Sequence, residues 1–311
     1  MPVRIVQSKQ NARLKELRRA LAQPLREFSR DGRALAGIEG PNLIAEALRA
    51  GLRLACVFVA EGAEGLLEAL PLPPQTEILL LPLALLNSAL ATEAPQPIAA
   101  LVAPPDWTWT DLLGGRHGTA PLVVVLAGLQ DPGNLGAILR SAEAFGAHGV
   151  LSLPGTVSAW NPKAVRASAG SAFRVPLLAV SAEDCFARLR EAGVTIWTTC
   201  ASAARGAQPV GRVNLAGPVA LVIGNEGNGV PEALAAQADG AVTISCPGAV
   251  ESLNAAVAAG VLLYEASRQR AGDNAVASHP TQRERRVGHP SSSAALDPHP
   301  QPLIGGRNEP L

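Results

Sequence analysis

Residues 123–150, VVVLAGLQDPGNLGAILRSAEAFGAHGV, begin as a buried strand and end as a helix. Between the two elements, Asp131 and Pro132 suit the N-cap and the first position of the helix. Apolar residues then recur at helical spacing and should face a sheet: Leu135, Ile138, Leu139 and Ala142. Arg140 and Glu143 lie off that stripe, three residues apart. They either pair on the helix surface or leave the arginine to a ligand.

Apolar runs alternate with helical segments from residue 121 to residue 270. The predicted strands are LVVVLAGL, GVLSLP, FRVPLLAV, VTIWTTC, PVALVIGN and GAVTISC, and the predicted helices cover 135–146, 161–170, 181–192, 231–238 and 252–269. Near-continuous apolar strands separated by helices indicate an α/β fold with a parallel sheet covered on both faces. Ligands of such sheets bind outside the carboxyl ends of the strands, so the turns at that edge are the candidates for function.

Residues 1–103 predict a smaller α/β domain. NARLKELRRALA is helical with a basic face, and RALAGIEGPNLIAEALRAG reads as a strand leading into a helix that Gly51 ends. Further strands are predicted at RLACVFVAEG, TEILLLP and IAALVAP. Residues 104–120 mix proline, glycine and polar residues and predict a linker, and residues 271–311 predict a disordered tail.

Composition limits the classes of function. Hydrophobic residues make up 48% of the 311 residues, yet no apolar run is long enough to span a bilayer and no secretory signal is visible. The four cysteines form no C-x-x-C pair, which predicts free thiols in a cytoplasmic protein. Three of the five histidines fall in the tail, which leaves little for a metal site.

The charge is unevenly distributed along the chain. The net charge is zero, but residues 1–40 carry nine Lys or Arg against four acidic residues. That excess suits either a local contact with phosphate or an ordinary solvated helix.

A second turn, LVIGNEGNGVPEAL, joins a strand ending at Gly224 to a helix beginning near Pro231. It matches neither of the common phosphate-binding patterns, and Glu226 would repel a polyphosphate. The acid better fits a ligand with positive charge and a sugar hydroxyl, or a role in orienting Arg140. A glycine-rich connection without a ligand is the alternative.

A third turn lies in VTISCPGAVESLNAAVAAGVLLYEASRQR, where Ser252 could cap the following helix. That helix is almost free of charge from Leu253 to Tyr264 and is dense in alanine. A surface helix would show a polar face, so burial at a subunit interface is predicted, with burial inside one chain as the alternative.

At these three turns the sequence resembles the SpoU/TrmH family of RNA 2′-O-ribose methyltransferases. The matching pieces are DPGNLGAILRSAEAFGA, LVIGNEGNGVPEAL and VTISCPGAVESLNAAVAAGVLLYEA. More loosely, IVQSKQNARLKELRRAL and GIEGPNLIAEALRAG resemble the substrate-binding domain of many members, which has a ribosomal-protein-like fold. The resemblance implies an α/β-knot (SPOUT) domain over 121–270, a homodimer, and S-adenosylmethionine held in the knot mostly by backbone groups.

The resemblance also implies roles for individual residues. The family's catalytic positions fall on Asn134, Arg140, Glu226, Ser252 and Asn254, all of matching type. Its cofactor contacts fall on Gly224, Ile244 and Leu253, with Thr199 and Leu126 as weaker candidates. Val230, where the family often has Leu or Met, is a mild departure.

The implied reaction is an in-line displacement in which a ribose 2′-oxygen attacks the sulfonium methyl. The resemblance implies that Arg140, supported by Ser252 or Glu226, helps to remove the hydroxyl proton, but a guanidinium is poorly suited to act as a base. We favour a cationic Arg140 that binds the adjacent phosphate and stabilises the developing alkoxide. The predicted RNA-backbone contacts are Arg13, Arg18, Arg19 and Arg30.

Ribosomal RNA is the favoured substrate over transfer RNA, because the N-terminal domain resembles a ribosomal protein. Two other classes remain as alternatives: an RNA-binding protein without catalysis, and a nucleotide-dependent oxidoreductase. The matching catalytic positions argue against the first. The absence of G-x-G-x-x-G after the first strand of the larger domain argues against the second.

Overall fold

The computed structural model describes residues 2–22, 35–90, 92–114, 119–201, 206–250 and 252–277. The elements of the N-terminal domain are β1 (Val3–Ile5), α1 (Ala12–Ala22), β2 (Ala36–Glu39), α2 (Pro41–Arg49), β3 (Leu54–Ala60), β4 (Glu77–Leu81), α3 (Leu83–Asn87) and β5 (Ile98–Val102). As predicted, Gly51 terminates α2: it follows the C-cap Ala50 with a φ of +75°, and its N–H donates to the carbonyl of Leu48.

The N-terminal sheet is mixed, with the strand order β1-β4-β3-β5-β2. Strands β1, β4 and β3 run parallel, and β5 is antiparallel to β3 and β2. Because side chains alternate along a strand, β3 serves two cores. Cys56 and Phe58 pack in the core with α1, and Val57 and Val59 pack in the core with α2. The second core continues into the C-terminal domain, so the two domains share buried apolar surface.

The segment predicted as a linker contains a helix, α4 (Trp109–Leu113). Thr108 and Asp111 form a capping box at its start. Leu112 is fully buried in the core with Val123 and Leu151 of the C-terminal domain. This part of the segment is therefore packed structure, while residues 115–118 lie outside the described part of the chain.

The C-terminal domain alternates strands and helices as the sequence predicts. Its elements are β6 (Leu122–Ala127), α5 (Pro132–Ala144), β7 (Gly149–Ser152), α6 (Pro162–Ser168), β8 (Leu177–Ala179), α7 (Ala182–Glu191), β9 (Thr195–Thr199), β10 (Gln208–Pro209), β11 (Val219–Gly224), α8 (Glu232–Ala235), β12 (Gly240–Thr243) and α9 (Ala255–Ala277).

The C-terminal sheet confirms the prediction of a parallel α/β fold. Its strand order is β10-β12-β9-β11-β6-β7-β8, and every neighbouring pair is parallel. Helix α5 packs against one face of β6 and α7 against the other. The register pairs Gly224 with Ala127 and Val242 with Thr199. The carboxyl ends of β12, β9, β11 and β6 therefore lie side by side.

Helix α9 packs lengthwise against α5 in the same direction. A side chain at Gly260 would approach Ser141, and one turn later Tyr264 meets Phe145 edge-on with ring centroids 5.8 Å apart. Two predictions for this helix are wrong at its ends. Asn254, not Ser252, caps it, since the Asn254 Oδ1 accepts from the N–H groups of Ala256 and Val257. It also continues to Ala277, beyond the predicted start of the tail at residue 271.

One side of α9 is exposed, contrary to burial inside one chain. Val257, Val261 and Tyr264 are 52%, 37% and 56% exposed. They are spaced four and three residues apart and so form one apolar stripe. Within the described ranges, no helix combines the length and apolar character needed to cross a membrane.

Candidate active site

Three of the predicted catalytic residues form a hydrogen-bonded chain. The Asn134 Nδ2 donates to the Glu226 Oε1 over 2.9 Å, and the Asn254 Nδ2 donates to the Asn134 Oδ1 over 2.9 Å. The chain joins the start of α5, the turn after β11 and the start of α9. The three sequence motifs therefore meet at the carboxyl edge of the sheet, as the parallel fold predicts.

Local structure fixes Asn134 at the start of α5. The Asp131 Oδ1 accepts from the backbone N–H of Asn134 over 2.8 Å, which is the N-cap that the sequence predicts. The Lys163 Nζ lies 3.2 Å from the Asp131 Oδ2. The Asp131 pKa lies below its ordinary value, first because of the Asn134 N–H and then because of Lys163. Lys163 is not among the site residues predicted from the sequence, although its position just after the Asn161–Pro162 cap of α6 is a usable signal.

The turn at 225–229 is shaped by its own backbone and by Asn225. Asn225 and Gly229 exchange two backbone hydrogen bonds of 3.0 and 2.9 Å, and Gly229 has a φ of +66°. The Asn225 Nδ2 donates to the carbonyl of Gly128, which ties the turn to the loop before α5. A Cβ on Gly224 would lie 2.1 Å from the Gly229 carbonyl carbon, so the return of this turn over the strand end requires glycine there.

Glu226 is an ionised acceptor. The limited desolvation of its carboxylate would raise its pKa. The Asn134 side chain and the N–H groups of Asp131 and Gln130 donate to it, however, and the pKa lies below its ordinary value. No hydrogen bond joins it to Arg140 among the described residues. The suggestion that Glu226 orients Arg140 is therefore wrong, because Glu226 orients Asn134 instead.

Arg140 is exposed and makes no hydrogen bond or ion pair within the described ranges. The alternative that it pairs with Glu143 is wrong, because the Glu143 carboxylate is bound by Arg174 at 2.5 and 3.0 Å. Ser252 is also exposed, in the segment just before α9. The structure thus brings Asn134, Glu226 and Asn254 together, and no described residue binds the Arg140 guanidinium.

The predicted cofactor residues gather along one edge of the sheet. Thr199 and Gly224 are the last residues of β9 and β11, Ile244 follows β12, and Leu126 is the penultimate residue of β6. Leu253 is half-buried just before α9. The four adjacent strand ends thus contribute only uncharged residues. This fits a cofactor that is held mostly by hydrogen bonds to the backbone rather than by ion pairs.

Two groups at this edge refine the list of cofactor residues. The Thr243 Oγ1, at the end of β12, is buried without a hydrogen-bond partner among the described residues, so it can serve a bound molecule. Thr243 is not among the cofactor residues predicted from the sequence. Leu126 has few groups left to contact a cofactor, because its side chain is fully buried and its carbonyl already accepts hydrogen bonds from the Leu153 N–H and the Thr156 hydroxyl. The Thr199 hydroxyl donates to the carbonyl of Val222.

The arginines predicted to contact RNA differ in their exposure and in whether other side chains already bind their guanidinium groups. Arg13 is half-buried, and its guanidinium pairs with Glu16 at 2.9 Å and with Glu77 at 3.2 Å. The Arg18 Nη2 donates to the Ser88 hydroxyl over 3.4 Å, a long hydrogen bond. Arg19 is exposed, and Arg30 lies outside the described residues.

No cluster of three or more His, Cys, Asp or Glu residues suited to a metal ion occurs in the described ranges.

Comparison with known proteins identifies relatives of this chain. Residues 121–264 match the model of the SpoU rRNA Methylase family. An uncharacterized tRNA/rRNA methyltransferase of Mycolicibacterium vanbaalenii is 37% identical over 245 residues, covering 74% of this chain and 76% of the relative. The 23S rRNA (guanosine-2′-O-)-methyltransferase RlmB of Xanthomonas campestris is 41% identical over 170 residues, covering 53% of this chain and 67% of the relative.

Among solved structures, the SpoU methyltransferase AviRb from Streptomyces viridochromogenes, in complex with the cofactor AdoMet, superposes with a TM-score of 0.69. It is 29% identical, and the match covers 84% of this chain and 99% of AviRb. The likeness thus extends over both domains.

Proposed function

The chain belongs to the SpoU rRNA methylase family, and from that premise we propose that it methylates a ribose 2′-hydroxyl of RNA with S-adenosylmethionine as the methyl donor. The observation that carries the proposal is the Glu226–Asn134–Asn254 chain, together with Arg140 on the same helix as Asn134, which makes no hydrogen bond or ion pair with the described residues. AdoMet is the cofactor in the solved relative. The neutral strand ends suit it here, as does the Thr243 hydroxyl, which has no hydrogen-bond partner in the described part of the chain.

When bound, S-adenosylmethionine supplies a methyl group on a sulfonium, and the products are the 2′-O-methyl ribose, S-adenosylhomocysteine and a proton. Gly224, Ile244 and Leu253 would hold it together with Thr243. Much of the catalysis is then the alignment of two bound substrates.

The side chains of this chain have separate roles in the proposed reaction. The Glu226 carboxylate fixes the amide of Asn134, and Asn134 in turn receives a hydrogen bond from Asn254. Arg140 stays cationic, binds the phosphate next to the target ribose and stabilises negative charge on the 2′-oxygen. The hydroxyl proton leaves to water. Ser252, exposed beside this cluster, is proposed to contact the same nucleotide.

We further propose 23S ribosomal RNA as the substrate, with transfer RNA as the alternative. The support is the 41% identity to an enzyme named for 2′-O-methylation of a 23S rRNA guanosine, over about half of this chain. Residues 1–103 are proposed to bind RNA, with Arg19 as the most exposed of the predicted contacts that the structure describes. Residues 121–270 are proposed to carry the α/β-knot.

A homodimer is part of the proposal. Val257, Val261 and Tyr264 form an exposed apolar stripe on α9, whose start carries Asn254. A second copy that covers this stripe would remove it from water and bring another chain close to the catalytic cluster.

The proposal is tested by the pH dependence of methyl transfer for the wild type and for Arg140→Lys. If Arg140 positions the phosphate through its planar fork, lysine fails at every pH. If Arg140 is the base, lysine restores most of the activity with a shifted alkaline limb. Calorimetric binding of S-adenosylmethionine separates the enzyme from an RNA-binding protein without catalysis, since the latter binds RNA but not the cofactor.

A further inference from the structure

Arg174 bridges two glutamates from different domains. Its Nε and Nη2 lie 2.5 and 3.0 Å from the two carboxylate oxygens of Glu143 on α5, and its Nη1 lies 2.6 Å from the Glu46 Oε2 on α2. Two parallel bonds from one guanidinium to one carboxylate fix the geometry of the pair as well as its strength. The side chains of Arg174, Glu143 and Glu46 are only 33%, 34% and 24% exposed.

The backbone that carries Arg174 is firmly held. Residues 171–173 form a 3₁₀ turn, and Phe173 is buried and stacks on Trp160 with ring centroids 5.8 Å apart. Gly170 precedes the turn with a φ of +89°, and a Cβ there would lie 2.8 Å from the Glu46 Cβ. The turn therefore lies directly on α2, and the Arg174 guanidinium has little freedom to leave the two glutamates.

The position of Glu143 gives this bridge a consequence for Arg140. Glu143 follows Arg140 by three residues on α5, a spacing at which oppositely charged side chains on a helix meet. Arg174 occupies both oxygens of the Glu143 carboxylate. Consistent with this, the Glu143 pKa lies below its ordinary value, first because of the hydrogen bonds from Arg174.

We propose that Arg174 is a positioning residue that holds the Glu143 carboxylate away from Arg140 and so keeps the Arg140 charge available to RNA. The inference rests on the proposed function, because it assumes that Arg140 acts on the substrate. Arg174 itself touches no reacting atom in this scheme.

The test is a double-mutant cycle read by single-turnover methyl transfer. In Arg174→Met, Glu143 is released and its charge opposes Arg140, so we expect the rate to fall about 3- to 30-fold, the effect of one unit charge about 6 Å away near a water-exposed surface. The loss should shrink at high salt. Adding Glu143→Gln removes the released charge and should restore the rate to within about threefold of the wild type. Glu143→Gln alone should be near wild type.

Glu46→Gln is the matched control. It removes the ion pair of Arg174 with Glu46 but leaves the pair with Glu143, so its rate should stay near that of the wild type. A double variant as slow as Arg174→Met, or Glu46→Gln as slow as Arg174→Met, overturns the inference. Arg174→Gln, which also lacks the charge but keeps a polar side chain, gives the same comparison if the methionine variant does not fold, as judged by S-adenosylmethionine binding.

The same assay separates this inference from the proposed function. If the wild type transfers no methyl group, or Arg140→Ala is fully active, the proposed function fails. If the wild type is active and Arg140→Ala is not, the failure of Glu143→Gln to restore the rate of Arg174→Met excludes only the role proposed for Arg174.

Discussion

Replacing Glu226 with glutamine tests the hydrogen-bonded chain most sharply. The carboxylate accepts from the Asn134 Nδ2 at 2.9 Å and from the N–H groups of Asp131 and Gln130 at 3.3 and 3.4 Å. The last two bonds are long, so the bond to Asn134 dominates. A glutamine keeps one acceptor oxygen and turns a donor toward these N–H groups. It therefore loses the charge and at least one bond.

The structural cost of this change should be small and the catalytic cost larger. A hydrogen bond to a charged group contributes about 1.5–3 kcal/mol when buried, but Glu226 is exposed, so we expect a stability loss of about 1 kcal/mol or less. Misplacing Asn134 by about 1 Å can cost on the order of 100-fold in rate. We expect Glu226→Gln to lower kcat by 10- to 100-fold with a melting temperature within about 4 °C of the wild type.

The pH dependence gives a second readout for Glu226. Because its pKa is lowered in the folded chain, the carboxylate and its bonds are present above the ordinary value of 4.5 and are lost as the pH falls through the lower folded value. The wild type should therefore show no acidic limb from Glu226 between about pH 5 and 8. Glu226→Asp, which keeps the charge, is the control. An unchanged kcat in Glu226→Gln, or a wild-type limb near neutrality that this variant abolishes, would refute the positioning role.

Three further changes test the packing, the dimer and the RNA contacts. Gly136→Ala puts a methyl group 2.4 Å from the Ala164 carbonyl oxygen on α6 and should lower the free energy of unfolding by about 1–3 kcal/mol. Gly217→Ala, where no described atom lies within 4 Å of the added methyl, should be neutral in thermal unfolding. Equal melting points of the two variants would contradict the close packing of α5 on α6. Val261→Asp places a charge on the exposed stripe of α9 and should convert a dimer to a monomer in light scattering, and an unaltered dimer would place the interface elsewhere. Arg19→Ala should weaken RNA binding and reduce the slope of log K against log salt concentration by about 0.7. Arg13→Ala should have a smaller effect, because Arg13 is already paired with Glu16 and Glu77. Equal slopes of the two variants in a salt series would exclude this ranking.

Much of the C-terminal fold could be predicted because each strand is a compact apolar run. The start of α9 could not, since Ser252 and Asn254 are both good capping residues and only the backbone selects Asn254. The mixed order of the N-terminal sheet was also beyond prediction, because pairing between distant strands leaves no local pattern. Helix α4 was not predicted, because it lies in a stretch whose prolines and glycines predict a linker.

The candidate site was likewise predicted only in part. Asn134, Glu226 and Asn254 stand in three separate motifs, and the sequence placed them at one edge of the sheet. Of the two alternatives for Arg140, pairing with Glu143 was wrong: helical spacing favours that pair, but the actual partner of Glu143, Arg174, is 31 residues away. The Thr243 hydroxyl was missed because its lack of a hydrogen-bond partner is a property of the folded chain.

The most direct measurement is mass spectrometry of nucleosides from 23S rRNA incubated with the purified protein and S-adenosylmethionine carrying an isotopically labelled methyl group. We expect the label in one 2′-O-methylnucleoside, and none when Arg140→Ala replaces the wild type. Label found only on bases, or equal labelling by both proteins, would contradict a ribose methyltransferase that depends on Arg140.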